Sequence, residues 1–147
     1  MKITIGSDHG AFELKEEVKK VLAEFEGVEV KDAGTFSTEA VDYPDIADKI
    51  CADVVSGVAD RGIALCGTGI GMTIAANKIK GIRCALCHDV FSAKMSREHN
   101  NANVLAMGGR VIGYGLAGEI VRAWLTTEFE GGRHDRRLGK VTALENM

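Results

Sequence analysis

Gly62-Ile63-Ala64-Leu65-Cys66-Gly67-Thr68-Gly69-Ile70-Gly71-Met72-Thr73-Ile74-Ala75-Ala76-Asn77 is the stretch whose reading decides the fold. An apolar run that halts at a cysteine, then glycines alternating with Thr68 and Ile70, then a run of small residues reads as buried strand, tight loop and helix. Glycines permit positive backbone angles and put no side chain in the way, so several N–H groups can converge on one anion at the positive end of the helix. A thiolate at Cys66 is favoured in the same place, beside unpaired N–H donors and the helix dipole. The turn therefore reads as a base beside an oxyanion cradle. The same residues would also serve a close-packed strand–helix connection around an inert, buried cysteine. They lack the spacing of the dinucleotide fingerprint GxGxxG, and no Walker lysine follows.

Upstream of this turn, Lys2 to Gly6 reads as a strand ending in Ser7-Asp8-His9-Gly10. Phe12, Leu14, Val18, Val21, Leu22 and Phe25 then recur close to the helical period, so residues 11 to 25 read as a half-buried helix. Val28 to Ala33 reads as a second strand, and Gly34 to Tyr43 as a polar loop. Pro44 suits the first turn of a helix that Gly57 closes. Downstream, the helix after the glycine turn is expected to reach Lys80, and Arg83 to Cys87 to form a core strand. Asp89 is placed to cap a helix running to His99, with Asn100-Asn101 as its end signal. Asn103 to Met107 reads as the fifth strand, Gly108-Gly109-Arg110 as its exit, and Tyr114 to Thr126 as a helix.

Strands alternating with helices imply an α/β fold, a Rossmann-like three-layer sandwich with a five-stranded parallel sheet and helices on both faces. At 147 residues the chain reads as a single domain, 1–147, with a basic segment at 131–147. Ligands in such sheets bind beyond the carboxyl ends of the strands. That rule gathers Asp8 and His9 after the first strand, Cys66 and its loop after the third, His88 after the fourth and Arg110 after the fifth onto one edge.

Composition narrows the choice of function. The chain is 46% hydrophobic and 27% charged with a net charge of −3, which gives no electrostatic reason to expect a nucleic-acid partner. No apolar run approaches the ~20 residues of a membrane span, and the first residues enter a strand rather than a signal peptide. A cytoplasmic location without a membrane partner is expected, and the four cysteines read as free thiols. Cys84-Ala85-Leu86-Cys87-His88 matches the CxxCH of c-type haem attachment, but it sits in a run that reads as a core strand. No second CxxC or HxxxH pair completes a zinc site, so neither metal nor cofactor is expected.

A phosphate dianion calls for two or more guanidinium or imidazolium groups, and arginine matches its oxygens bidentately. Arg133 and Arg137 stand four apart, sharing one face of a helix with His134 close by, and Arg110 and His9 are candidates to complete the pocket. A solvated basic tail has the same composition.

SDHG at Ser7 to Gly10, DYPD at Asp42 to Asp45, CGTGIGM at Cys66 to Met72, REHNNAN at Arg97 to Asn103, GGR at Gly108 to Arg110 and GGRHDRR at Gly131 to Arg137 run through nearly the whole chain. Together they resemble the ribose-5-phosphate isomerase B and galactose-6-phosphate isomerase family of sugar-phosphate isomerases. The resemblance implies reversible aldose–ketose isomerisation, in the type-B case between ribose 5-phosphate and ribulose 5-phosphate. It implies Cys66 as the base and His99 as the acid that opens the sugar ring, with Asp8 and Thr68 completing the catalytic group. Asp8, His9, Tyr43, Asn100 and His134 are then substrate contacts, and the amides of Gly67, Thr68, Gly69, Ile70 and Gly71 hold the enediolate oxygens. Arg110, Arg133 and Arg137 bind the phosphate. Some family members use a glutamate just downstream as base, and here no carboxylate stands within the loop.

Helix geometry adds one constraint. A helix starting at Asp89 on the catalytic edge and rising 1.5 Å per residue carries His99 about 15 Å back toward the opposite edge. His99 should then serve the Cys66 of a neighbouring chain, which makes a homodimer with shared active sites the expected assembly; pairing of dimers into tetramers stays open. A 6-phosphohexose isomerase of the same family is the nearest alternative, since the base and loop serve both. Outside catalysis, a sugar-phosphate-binding module and a redox thiol protein are the remaining readings.

Overall fold

The computed structural model describes residues 1–147. In chain order, β1 spans Lys2–Ser7, α1 Phe12–Leu22 after a single 3-10 turn at His9–Ala11, β2 Glu29–Asp32, α2 Tyr43–Ser56 and β3 Arg61–Cys66. These are followed by α3 at Ile70–Ala76, β4 at Cys84–Leu86, α4 at Val90–Glu98, β5 at Val104–Gly108, α5 at Tyr114–Thr126 and α6 at Arg133–Leu144. The strands form one five-stranded parallel sheet in the order β2-β1-β3-β5-β4, as the alternating pattern requires. The chain leaves β1 in one direction to make β2 and returns to the other side of β1 to make β3. The β1–β3 boundary is thus the switch point where this architecture opens a crevice.

Strand alternation divides the core in two. Ile63 and Leu65 of β3 join Ile3, Ile5, Leu105 and Met107 beneath Leu14 and Val18 of α1 and Ile120 and Trp124 of α5. Ala64 and Cys66 point the other way, with Ala106, toward Ile46 and Ile50 of α2 and Met72 of α3. Small residues line this second face because α2 presses on it: a Cβ on Gly62 would stand 2.5 Å from Ile50 Cγ2. The cysteine at the end of β3 is therefore delivered beneath the helix that its own turn begins.

The structure departs from the sequence reading in three elements, of which the first, α1, ends at Leu22 rather than Phe25. The helix after the glycine turn stops at Ala76 rather than Lys80, because Asn77 turns its side chain to the backbone of Cys84. Its Nδ2 donates to the Cys84 carbonyl at 2.9 Å and its Oδ1 accepts the Cys84 N–H at 2.8 Å. The run expected to be a core strand is a three-residue edge strand, with Leu86 37% exposed. Cys84 packs on the α2–α3 face and Cys87 on the α1–α5 face, so the CxxCH cysteines lie on opposite sides of the sheet and cannot present two thiols to one haem edge. Other signals hold: Asp89 Oδ1 accepts the Ser92 N–H at 2.6 Å, and Gly57 closes α2 at φ +82°.

One buried ion pair fixes the polar loop after β2. Lys15 is fully buried, one residue past Leu14 on the apolar side of α1. Its ammonium donates to Asp32 at 2.7 and 2.8 Å and to the Thr35 carbonyl, and lies 4.8 Å from the Phe36 ring centroid. The loop then pairs with the end of β1: Ser7 N–H donates to Gly34 O at 2.7 Å, and Thr35 N–H to Ser7 O at 2.8 Å.

Burial alone would raise the Asp32 carboxyl. Bonds from Lys15, Lys19 and the Gly34 N–H outweigh that and hold it below the usual carboxylate range. A lowered folded value means that this group's stabilisation is present above the unfolded carboxyl range, near pH 4, and is lost as pH falls through the lower folded value. Asp32→Asn, which strands the Lys15 charge, is expected to cost about 3 kcal/mol in urea unfolding at neutral pH and to lose the acid-side fall contributed by this group.

Candidate active site

Three strand exits meet at the carboxyl edge of the sheet. From β3, the chain passes through Cys66, Gly67, Thr68 and Gly69 into α3. Gly69 adopts φ +77°, and its N–H donates to Cys66 Sγ at 3.1 Å. A Cβ there would stand 2.6 Å from Leu86 Cδ1 and 2.9 Å from the Met107 carbonyl carbon, so both the angle and the packing demand glycine. Gly71 lies flat against the Tyr43 ring, where a Cβ would approach within 2.7 Å, and this brings Tyr43 beside the turn.

The five amides expected to cradle an anion divide into two groups. Gly69 N–H is taken by the sulfur and Ile70 N–H by Thr68 Oγ1 at 3.2 Å. The N–H groups of Gly67, Thr68 and Gly71 have no hydrogen-bond partner within the chain. The free donors of the turn are therefore these three.

From β1, Asp8 is buried, with its Oδ1 accepting the Gly10 N–H at 2.9 Å. His9 accepts the Val41 N–H at Nδ1 over 3.3 Å. With Nδ1 engaged by the backbone, Nε2 is the ring nitrogen left to meet a ligand. From β5, Gly109 N–H donates to Cys66 O and Arg110 N–H to Gly67 O, both at 2.9 Å. The Arg110 guanidinium then lies beside Gly67 and Gly10, with Nη1 3.3 Å and Nη2 3.4 Å from where their Cβ atoms would be. Asp8, His9, Tyr43, Cys66, the 67–71 turn and Arg110 are thus brought together as expected.

His99, Asn100, Arg133, His134 and Arg137 are not among them. The α4 helix, capped by Asp89 at the carboxyl edge, carries His99 to the amino-terminal ends of the strands. The α5 helix returns the chain to that same end, so α6 begins there, and the His99 and His134 rings stack with centroids 4.3 Å apart and planes 17° apart. Within one chain, Arg133 and Arg137 therefore stand at the opposite end of the strands from Arg110 and His9. Burial, followed by the charges of Arg133, His99 and Arg137, pushes the His134 imidazole below its ordinary value.

His99, Glu130 and His134 bring three donor side chains within 4.8 Å, a grouping that the sequence spacing concealed. Near-parallel rings direct their lone pairs side by side rather than onto one point, and the Arg133 guanidinium lies 4.0 Å from Glu130. The set has a poor geometry for chelation and a better one for holding a neutral imidazole against His99. A 670 Å³ cavity lies apart from Cys66, where Leu138, Val141 and Leu144 of α6 face Ile79 and Ile82, with Asn100 at its wall.

The four thiols differ in their surroundings. Burial pushes Cys51 up to about 11, Cys84 to about 12 and Cys87 to about 11. Cys66, also buried, is the cysteine whose sulfur receives a backbone N–H and lies under a turn with free donors. Sequence reasoning missed Lys15 and Asp32. Their signal was a lysine next to Leu14 and three residues before Val18, on the apolar side of α1.

Fold and site define a class: a doubly wound α/β enzyme with a thiol and open amide donors at its switch point. The chain belongs to the ribose/galactose isomerase family, whose model matches residues 3–141. Ribose-5-phosphate isomerase B of Escherichia coli is 51% identical over 144 residues, 98% of this chain and 96% of that protein. D-erythrulose-4-phosphate isomerase of Pectobacterium atrosepticum is 46% identical over 148 residues, covering 100% of this chain and 97% of that protein. The structure of Clostridium thermocellum ribose-5-phosphate isomerase B aligns with a TM-score of 0.97 at 54% identity, over 99% of this chain and 98% of that one. The protein is an isomerase, and no helix in it is long and apolar enough to cross a membrane.

At pH 7.5, iodoacetamide is expected to alkylate one thiol per chain, detected by peptide mass spectrometry and absent from Cys66→Ala. Modification spread over Cys51, Cys84 and Cys87 would contradict this account of the four sulfurs.

Proposed function

We propose that this isomerase interconverts ribose 5-phosphate and ribulose 5-phosphate without a metal, in sites shared between two copies of the chain. The observation that carries the reading is the 3.1 Å bond from Gly69 N–H to Cys66 Sγ, with three free N–H donors on the same turn. In the bound open-chain aldose, the Cys66 thiolate takes the proton from C2. The electron pair left behind forms the C1–C2 double bond, and charge develops on the C1 oxygen. Gly67, Thr68 and Gly71 N–H groups are placed to stabilise that oxygen as its charge grows. A proton passes between the two enediol oxygens, and the Cys66 thiol returns its proton to C1, so no atom is gained or lost.

Asp8 and His9 flank this step as hydroxyl partners, with Tyr43 walling the site. Ring opening needs an acid at the ring oxygen, and His99 of the same chain stands at the far end of α4. The partner's His99 fills that role, with Asn100 of the partner subunit beside it. Arg110 then meets the partner's Arg133, His134 of the partner subunit and the partner's Arg137 at the phosphate. Support for a second copy comes also from Ile70, Ile74 and Phe91, which stand 52%, 58% and 72% exposed near the carboxyl edge. The likeness to an erythrulose-phosphate isomerase favours a second reading in which sugar length differs, and 6-phosphohexoses belong to it.

Cys66→Ala is expected to lower kcat on ribose 5-phosphate by about a thousandfold with the fold intact, and His99→Ala by about a hundredfold. Refolding the two variants together should recover activity above either alone. A mixture as inactive as its parts would reject the shared site. Coupled assays on ribose 5-phosphate, allose 6-phosphate and galactose 6-phosphate decide the substrate.

A further inference from the structure

We infer that His88 is a positioning residue of the isomerase site: its ring fixes Gly108, and through Gly108 the placement of the Thr68 amide and of the turn above Cys66. The inference rests on the proposed role of that turn and extends it to a histidine that the mechanism leaves unused.

The β4–β5 pairing ends at Leu86 and Ala106, with Cys87 N–H donating to Ala106 O at 3.1 Å. Beyond that point β4 has turned away to begin α4, while β5 continues to Gly108 in register with Cys66 of β3. Gly108 is buried, and on the β4 side its N–H has lost its strand neighbour. His88 Nε2 takes the place of the missing carbonyl and accepts that N–H at 3.0 Å. A buried N–H left unpaired would carry the full penalty of its desolvation, so the bond is a strong local restraint. It also leaves the proton of the neutral ring on Nδ1.

Gly108 has no slack on its other side. A Cβ there would stand 2.6, 2.7 and 2.8 Å from the carbonyl carbon, carbonyl oxygen and Cα of Thr68, so the Thr68 backbone rests directly on this glycine. The next two residues donate to Cys66 O and Gly67 O. Residues 108–110 are therefore the floor of the turn, and His88 is the side chain that pins the floor. A displacement of Gly108 passes by contact to Thr68, whose N–H is one of the free donors, and onward to Gly69, whose N–H touches the sulfur.

A purely structural role would lower stability and leave turnover per folded molecule unchanged. Positioning instead lowers kcat, since misplaced donors lose stabilisation of charge that exists only in the transition state. His88→Leu removes the acceptor. His88→Asn keeps polarity but is too short to reach Gly108, and stands in if the leucine variant folds poorly. The Oε1 of His88→Gln reaches where Nε2 stands.

Steady-state kinetics and NMR amide exchange of Gly108 and Gly69 test the inference. The leucine and asparagine variants are expected to lose about tenfold in kcat with KM changed less than twofold, and to exchange both amides faster. The glutamine variant is expected to return kcat to within about threefold of the parent and to restore both exchange rates. Equal kcat in all variants, or a glutamine variant as impaired as the leucine one, would overturn the inference. So would faster exchange at Gly108 with none at Gly69. A parent protein inactive on every sugar phosphate would instead overturn the proposed function, while the exchange data would still decide whether His88 governs the turn.

Discussion

A Cβ on Gly108 would stand 2.6 Å from the carbonyl carbon of Thr68, and this near-contact of two backbones is the constraint on which the site depends. Three parallel strands end together at the switch point, and the turn after β3 must lie across the exit of β5. Side chains at Gly67, Gly69 or Gly108 would hold those backbones or Arg110 apart. With them absent, the exits close on one another. The Cys66 and Gly67 carbonyls are then used by the neighbouring exit, while the turn directs free N–H groups outward. Close packing and open donors are thus two consequences of the same glycine spacing, so the structural and catalytic readings of the turn are compatible.

Helix direction supplies the second constraint. Each helix that returns from the carboxyl edge delivers its last residues to the amino-terminal edge, so α4 and α5 place His99 and the start of α6 away from Cys66 in the same chain. The stacked His99 and His134 rings make that distant group a defined unit, with His134 disposed to remain neutral. A site divided in this way ties the proposed chemistry to the proposed assembly: in that reading, acid and cation would reach base and cradle only from a second copy. Packing within one chain has no means of bringing the ends of a strand together.

The wall beside the cradle is held by a charge that most cores exclude. Lys15 is buried with its ammonium satisfied by Asp32 and the Thr35 carbonyl, and Asp32 is satisfied in turn by Lys19 and the Gly34 N–H. Such a network is costly to break and gains specificity from its directionality. It pins the start of the 33–42 loop to the end of β1, and Val41 at the other end of the loop reaches His9. The loop then enters α2 with Tyr43 against Gly71. Residues distant in sequence are thereby set in register with the turn by bonds of fixed length.

Local physics was legible in the sequence. The apolar run into Cys66, the glycine spacing, the cap at Asp89 and the helix over Tyr114–Thr126 each follow from neighbours within one turn or strand, and the alternation of elements then gave the parallel sheet. The grouping of Asp8, His9, Cys66 and Arg110 followed as well, because chain direction alone assigns residues to a sheet edge. Strand order was not legible, and with it went every partnership made across strands. That β4 is an edge strand, that His88 replaces its missing ladder bond, that Lys15 finds Asp32 and that His134 lies on His99 are facts of which elements become neighbours. Periodicity records which face of an element avoids water; it carries no record of what meets that face, and only the folded chain decides it.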